Sequence, residues 1–257
     1  MKRFFIVILN IKFRDLQDTK LSDSCVNNTS GKQNKKAMKQ FILSFLFLAT
    51  VFAGFGQKHI RLSFTGSPSL NWMATDNTVA RDEKTKLGYD FGLNADFYFS
   101  EDERYSLLTG LLITNTGGEI AYRAHSDFQF AGVTLPAVSR IKYRLRYIEI
   151  PLAIKLKTDQ IRRTSYWGMF GLSGMVNIGS KGDNNNGTLK KASINDEINP
   201  FNLAMNVGIG FDFDLGSSNS ISTGLIFQNG LIDVTTNHAF NDKTIINSLK
   251  IRIALIF

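Results

Sequence analysis

Five acidic residues (Asp90, Asp96, Glu149, Asp212, Asp214) and six basic ones (Lys142, Arg144, Arg146, Lys155, Lys250, Arg252) sit at alternate positions of otherwise apolar, extended segments. If those positions share an interior, two kinds of chemistry are open to them. Arg144, Arg146 and Glu149 could form a selectivity ring, because a guanidinium offers a planar fork that fits carboxylates and phosphates. Alternatively, opposite charges pair with one another to offset the cost of leaving water. A narrow interior favours pairing.

Other polar groups offer less. His59, His125 and His238 are too far apart for metal-ligand spacing. His125-Ser126-Asp127 supplies the residue types of a lipid hydrolase. Adjacent residues of an extended chain point in opposite directions, however, so the trio reads as a solvated loop. Asp183-Asn184-Asn185-Asn186-Gly187 has a misplaced glycine and no following Glu for a calcium loop, and reads as a surface turn. No catalytic, cofactor or metal site is expected.

The segments that carry these charges alternate with period two. Leu87, Tyr89, Phe91, Leu93, Ala95, Phe97 and Phe99 share one face; Gly88, Asp90, Gly92, Asn94 and Asp96 share the other. The same pattern recurs over 201–215, and more weakly over 58–72, 105–116, 140–157, 166–178, 220–231 and 249–257. A helix would scatter such residues around its surface, so these are strands. Within 140–157 the apolar phase changes at Tyr147-Ile148, which predicts a bulge there that flips the downstream side chains. Such a bulge would also tolerate Pro151.

Connections alternate short and long. Short ones cover 100–104, 158–163 and 216–219; long ones cover 73–86, 117–139, 179–199 and 233–244. That alternation predicts an all-β, eight-stranded antiparallel up-and-down transmembrane barrel, with tight periplasmic turns and long external loops. A soluble sandwich or lipocalin also alternates, but turns its apolar face inward. Three features favour lipid: the Gly-, Asn-, Asp- and base-rich second face, the aromatics near the short turns, and the ending at Phe257. The aromatics are Phe97, Phe99, Tyr105, Tyr166, Phe211, Phe213 and Phe257, placed as an interfacial girdle should be. An eight-stranded barrel is only wide enough to fill with side chains, so a plugged, ion-paired interior is expected.

The leader agrees. Lys35, Lys36 and Lys39 flank Met38, an apolar run covers 41–55, and small residues precede Gln57. This describes a secretory signal peptide over 38–57. Residues 1–37 are then an upstream extension ahead of the true start, and 58–257 form the barrel. The lone cysteine, Cys25, lies in the extension, which suits an oxidising destination for the rest. Of the formal charge of +8, a surplus of six belongs to residues 1–57, so nucleic-acid binding is not expected.

Two short stretches carry a resemblance. Tyr147-Ile148-Glu149-Ile150-Pro151-Leu152-Ala153-Ile154-Lys155 and Thr116-Gly117-Gly118-Glu119 resemble the PorT-like, or "porin family", outer-membrane β-barrel domain of Bacteroidetes. The signal end at Gln57 also resembles exported proteins of that phylum, and Phe257 resembles the C-terminal signal read by the outer-membrane insertion machinery. The resemblance implies an outer-membrane barrel. The expected partners are outer-membrane lipid and, during biogenesis, the insertion machinery. The expected protein is a monomeric, non-enzymatic scaffold or surface binder acting through its external loops on a ligand the sequence does not name. A narrow diffusion channel and a lipid-modifying enzyme are the alternatives.

Overall fold

The computed structural model describes residues 60–76, 80–187, 189–216, 219–236 and 243–257. The expected signal peptide and upstream extension lie outside them. Eight long strands run β1 Ile60–Thr75, β2 Lys86–Tyr98, β3 Tyr105–Thr116, β4 Val138–Lys157, β5 Thr164–Asn184, β6 Phe201–Gly216, β7 Asn219–Gly230 and β8 Thr244–Ile256. Each pairs antiparallel with its sequence neighbour, and β8 pairs back onto β1. The cylinder is closed, so no long strand leaves an unpaired edge.

The pairing also fixes the tilt. From Leu62, the register passes through Ala95, Thr109, Leu152, Leu172, Met205, Asn229 and Asn247, and returns to β1 at Trp72. A stagger of ten residues inclines the strands to the barrel axis, as closure of a small barrel requires.

Outside, the large apolar side chains stand in the open: Leu93 on β2, Leu111 on β3, Leu152 on β4, Phe170 on β5 and Ile209 on β6 are all exposed. The seven expected girdle aromatics are exposed too. Inside lie Ser63, Thr65, Asp90, Asn94, Glu149, Asn206, Gln228 and Lys250, all buried. A water-soluble protein would reverse this arrangement. An apolar exterior around a polar interior is stable only where hydrocarbon surrounds the wall. The described residues contain no helix long and apolar enough to cross a membrane.

β4 corrects the expected flip. Its odd-numbered residues stay buried along its length, from Ser139 and Ile141 through Tyr147 and Glu149 to Lys155. What changes at Tyr147-Ile148 is the surroundings, not the side-chain direction. Above this point Ile141, Tyr143, Leu145 and Tyr147 point inward, while Arg140, Lys142, Arg144 and Arg146 point outward. Below it Ile148, Ile150, Leu152, Ile154 and Leu156 point outward. The bulge exists, but on the partner strand: Arg146 pairs with Gly179 and Tyr147 with Asn177, leaving Ile178 as the extra residue of β5.

The segments expected as long loops continue the fold above this point. Glu119–Arg123 pairs with β4 and Ala80–Lys84 with Glu119–Arg123. Phe128–Phe130 and Val133–Leu135 form a hairpin turned by Ala131 and Gly132, both at positive φ. Together they enclose an apolar core that includes Ile120, Tyr122, Phe130, Leu135, Tyr143, Ile194, Ile198 and Val234. The Tyr122 and Tyr143 hydroxyls share a 2.6 Å hydrogen bond within it. Phe130 meets Tyr143 edge-on at 6.2 Å. The Ala131 N–H donates to Glu197 Oε1 at 2.9 Å, tying the hairpin to the segment between β5 and β6.

Candidate functional site

Period-two strands aim every second side chain at one axis, and this concentrates charge inside the barrel. Two layers result. Nearer the outer end, Lys250 of β8 lies between Asp90 of β2 at 3.0 Å and Glu149 of β4 at 3.2 Å. Glu149 also accepts from Thr114 Oγ1 at 2.6 Å and Gln228 Nε2 at 2.8 Å. Nearer the short turns, Lys155 lies 3.5 Å from Asp96 and 3.6 Å from Asp212. Lys157 adds a second cation, 3.2 Å from Asp212. Trp167 has Lys155 at 5.4 Å and Arg252 at 5.8 Å from its ring, so its face takes up part of the positive charge.

Three lysines (Lys155, Lys157, Lys250) thus meet four carboxylates (Asp90, Asp96, Glu149, Asp212), and Arg252, buried against Trp167, brings the interior to four charges of each sign. Such a set is mutually neutral, which is the state that makes burial of ions tolerable. The cavity among these side chains measures about 30 Å³ and is lined by Asp90, Glu149, Asn206, Lys250 and Arg252. It has room for about a water or two.

The structure therefore brings together Asp90, Asp96, Glu149, Asp212 and Arg252 of the expected lumen cluster. It removes Arg144 and Arg146. Both face outward above the apolar band, with Arg144 2.6 Å from Asp183 and Arg146 Nε donating to Asn115 Oδ1 at 3.1 Å. Lys142 is on the same outer face. Because β4 keeps one phase, even-numbered residues cannot join Glu149 inside. Asp214 stays at the short-turn mouth, where it accepts from the Gly216 N–H at 2.7 Å and from Gln160 Nε2 at 3.2 Å. Phe257 is exposed on the outer surface, and its backbone pairs with Leu62.

The loop trio is apart from these layers. His125, Ser126 and Asp127 are exposed, and Asp127 Oδ1 accepts from the Ala137 N–H at 3.1 Å. Among the described residues no group of three metal-ligating side chains occurs. Sequence reasoning passed over Thr114, Gln228 and Trp167, although all three occupy inward positions of alternating segments. It also passed over Lys86, whose amine donates to the Tyr143 carbonyl at 3.0 Å above the apolar band. Burial, then the neighbouring Arg144 and Lys142, pull that amine down to about 8.

Residues 33–236 match the family model described as outer membrane protein beta-barrel domain. No curated protein matches the chain. Among solved structures, Neisserial surface protein A is similar at 12% identity and a TM-score of 0.43, over 77% of this chain and 97% of that one. Ail, the attachment invasion locus protein of Yersinia pestis, is similar at 10% identity and a TM-score of 0.35, over 78% and 100%. OprG of Pseudomonas aeruginosa is similar at 10% identity and a TM-score of 0.39, over 78% and 97%.

Proposed function

The chain belongs to the outer membrane protein beta-barrel domain family, and from that premise we propose that it is a closed, non-enzymatic surface protein that holds partners at its external end. The observation that carries this reading is the apolar core over the outer mouth. Tyr122, Phe130, Leu135, Ile194 and Val234 fill the space through which a solute would have to pass. Short turns face the periplasm in barrels of this kind, which makes the capped end the external one. Below the cap, the paired charges fill the lumen, and their neutrality argues against an ion-selective ring. The engagement of Asp127 by the Ala137 N–H argues against a His125–Asp127 pair in catalysis.

On the finer family level, the reading is of a PorT-like member, supported by the segment from Tyr147 to Lys155. That segment spans the point where β4 passes from its capped half to its lipid-facing half. Planar-bilayer recording of the purified full chain tests the main reading. The expected trace is silent; discrete unitary steps would replace this reading with the diffusion channel.

A further inference from the structure

One strongly charged surface is left without a role by the cap and the lumen. The outer face of β4 carries Arg140, Lys142, Arg144 and Arg146 at every second residue, then continues without a break into Ile148 and Ile150. Across the ladder on β5, Lys181 stands directly opposite Arg144. Like charges in that position repel unless an anion lies between them. Asp183 answers part of the charge on Arg144, at 2.6 Å. Among the described residues Lys181 forms no ion pair, and Lys142 forms none within 4 Å although Asp183 and Glu119 stand opposite it in the two ladders.

The surface is also shaped. Gly179 lies beside Arg146 in the ladder and Gly174 beside Ile150, and a methyl group added at either would meet nothing within 4 Å. The first leaves space next to a guanidinium, the second a slot in the lipid-facing wall between Leu172 and Val176. Cations above, a bare notch between, and a greasy slot below match a molecule with an anionic head and hydrocarbon tails.

We propose that this face of β4 and β5 seats a phosphorylated, acylated lipid of the outer leaflet, with its phosphates on Arg144, Arg146 and Lys181 and an acyl chain in the slot at Gly174. Headgroup level is where these three side chains stand, since the outward residues immediately below them, Ile148 and Val176, are apolar. A guanidinium binds phosphate through two parallel hydrogen bonds, and Lys181 adds a point charge. This inference concerns the membrane-side wall and does not depend on whether the lumen conducts.

The test is native mass spectrometry of the detergent-solubilised full chain titrated with diphosphoryl lipid A. The deacylated sugar bisphosphate and inorganic phosphate serve as competitors. Wild type should hold one lipid A that neither competitor displaces at equal concentration. The triple variant R144Q/R146Q/K181Q should bind it more weakly by on the order of fivefold per cation removed. Gly174→Leu fills the slot at a position with open space, and should weaken lipid A while leaving any binding of the deacylated bisphosphate unchanged. Arg104→Gln, at the opposite end of the barrel, should change nothing. Heat-modifiable gel migration certifies that each variant is folded. Equal lipid A affinity in wild type and the folded triple variant would overturn the proposal. So would displacement of lipid A by the deacylated bisphosphate or by phosphate, since the ligand would then be a soluble anion.

Discussion

Above Tyr147, β4 has the polarity of a strand in a water-soluble protein: isoleucine, tyrosine and leucine inward, arginine and lysine outward. Below Ile148 it has the reverse: glutamate and lysine inward, isoleucine and leucine outward. The backbone is continuous and the side-chain direction never changes, so the difference comes from the solvent on the outer side. Each half obeys the same rule, that apolar groups go wherever water is absent. In one half that place is the centre, and in the other it is the lipid. The two halves therefore have different kinds of interior, one held by dispersion and apolar burial, the other by charge compensation.

The sharpest way to break this comparison is to remove one interior cation. Lys250→Met leaves Asp90 and Glu149 buried without their shared partner. The expected loss is about 3–5 kcal/mol, read as a lower urea midpoint for unfolding from lipid vesicles. Next comes a paired substitution on one strand face. Leu152→Arg, near the middle of the lipid-facing run, should cost roughly 2–4 kcal/mol. Arg144→Leu, on the same face but above the band, should change stability by less than about 0.5 kcal/mol. If both changes cost alike, the two halves do not meet different solvents.

Within the capped half, Tyr143→Phe removes one hydroxyl of the 2.6 Å pair and with it this buried hydrogen bond to Tyr122. The expected cost is about 1–3 kcal/mol, measured as earlier proteolysis of the outer segments while the barrel stays heat-modifiable. Ala131 occupies the left-handed region at φ 51°, so Ala131→Gly should stabilise the hairpin by about 1 kcal/mol and delay the same proteolysis. The smallest effect concerns pH. The folded protein holds Lys86 at about 8 against an ordinary 10.5, so the fold favours the neutral amine. Its protonation penalises the fold below about pH 8, and the penalty fades as pH rises from there toward the unfolded value. Stability measured between pH 7 and pH 10 should therefore rise more steeply in wild type than in Lys86→Gln.

The barrel itself was legible because period two and the short–long rhythm of connections are local signals. Leu87 to Phe99 needs no partner to announce a half-buried strand. The inward placement of Asp90, Asp96, Asp212 and Arg252 followed from the same alternation. Arg144 and Arg146 were misplaced because alternation reports which residues share a face, and not what touches that face. A side-chain flip and a change of solvent leave the same trace in the letters. The bulge on β5 was hidden for a related reason, since Ile178 falls among residues of mixed character. The cap was hidden because Phe128, Leu135, Ile194 and Val234 are scattered over three segments and meet only in space. Strand length held the missing clue: β4 runs to 20 residues and β5 to 21, about twice what a tilted strand needs to cross.

The change of character at Tyr147 and Ile148 also gives the molecule a waterline. Sinking by two residues along β4 would drown Arg146 in oil, and rising by two would strand Ile148 in brine. Both moves are uphill, so the cylinder has a set draught and does not bob in its bilayer. The capped end therefore stands at a constant height above the bilayer.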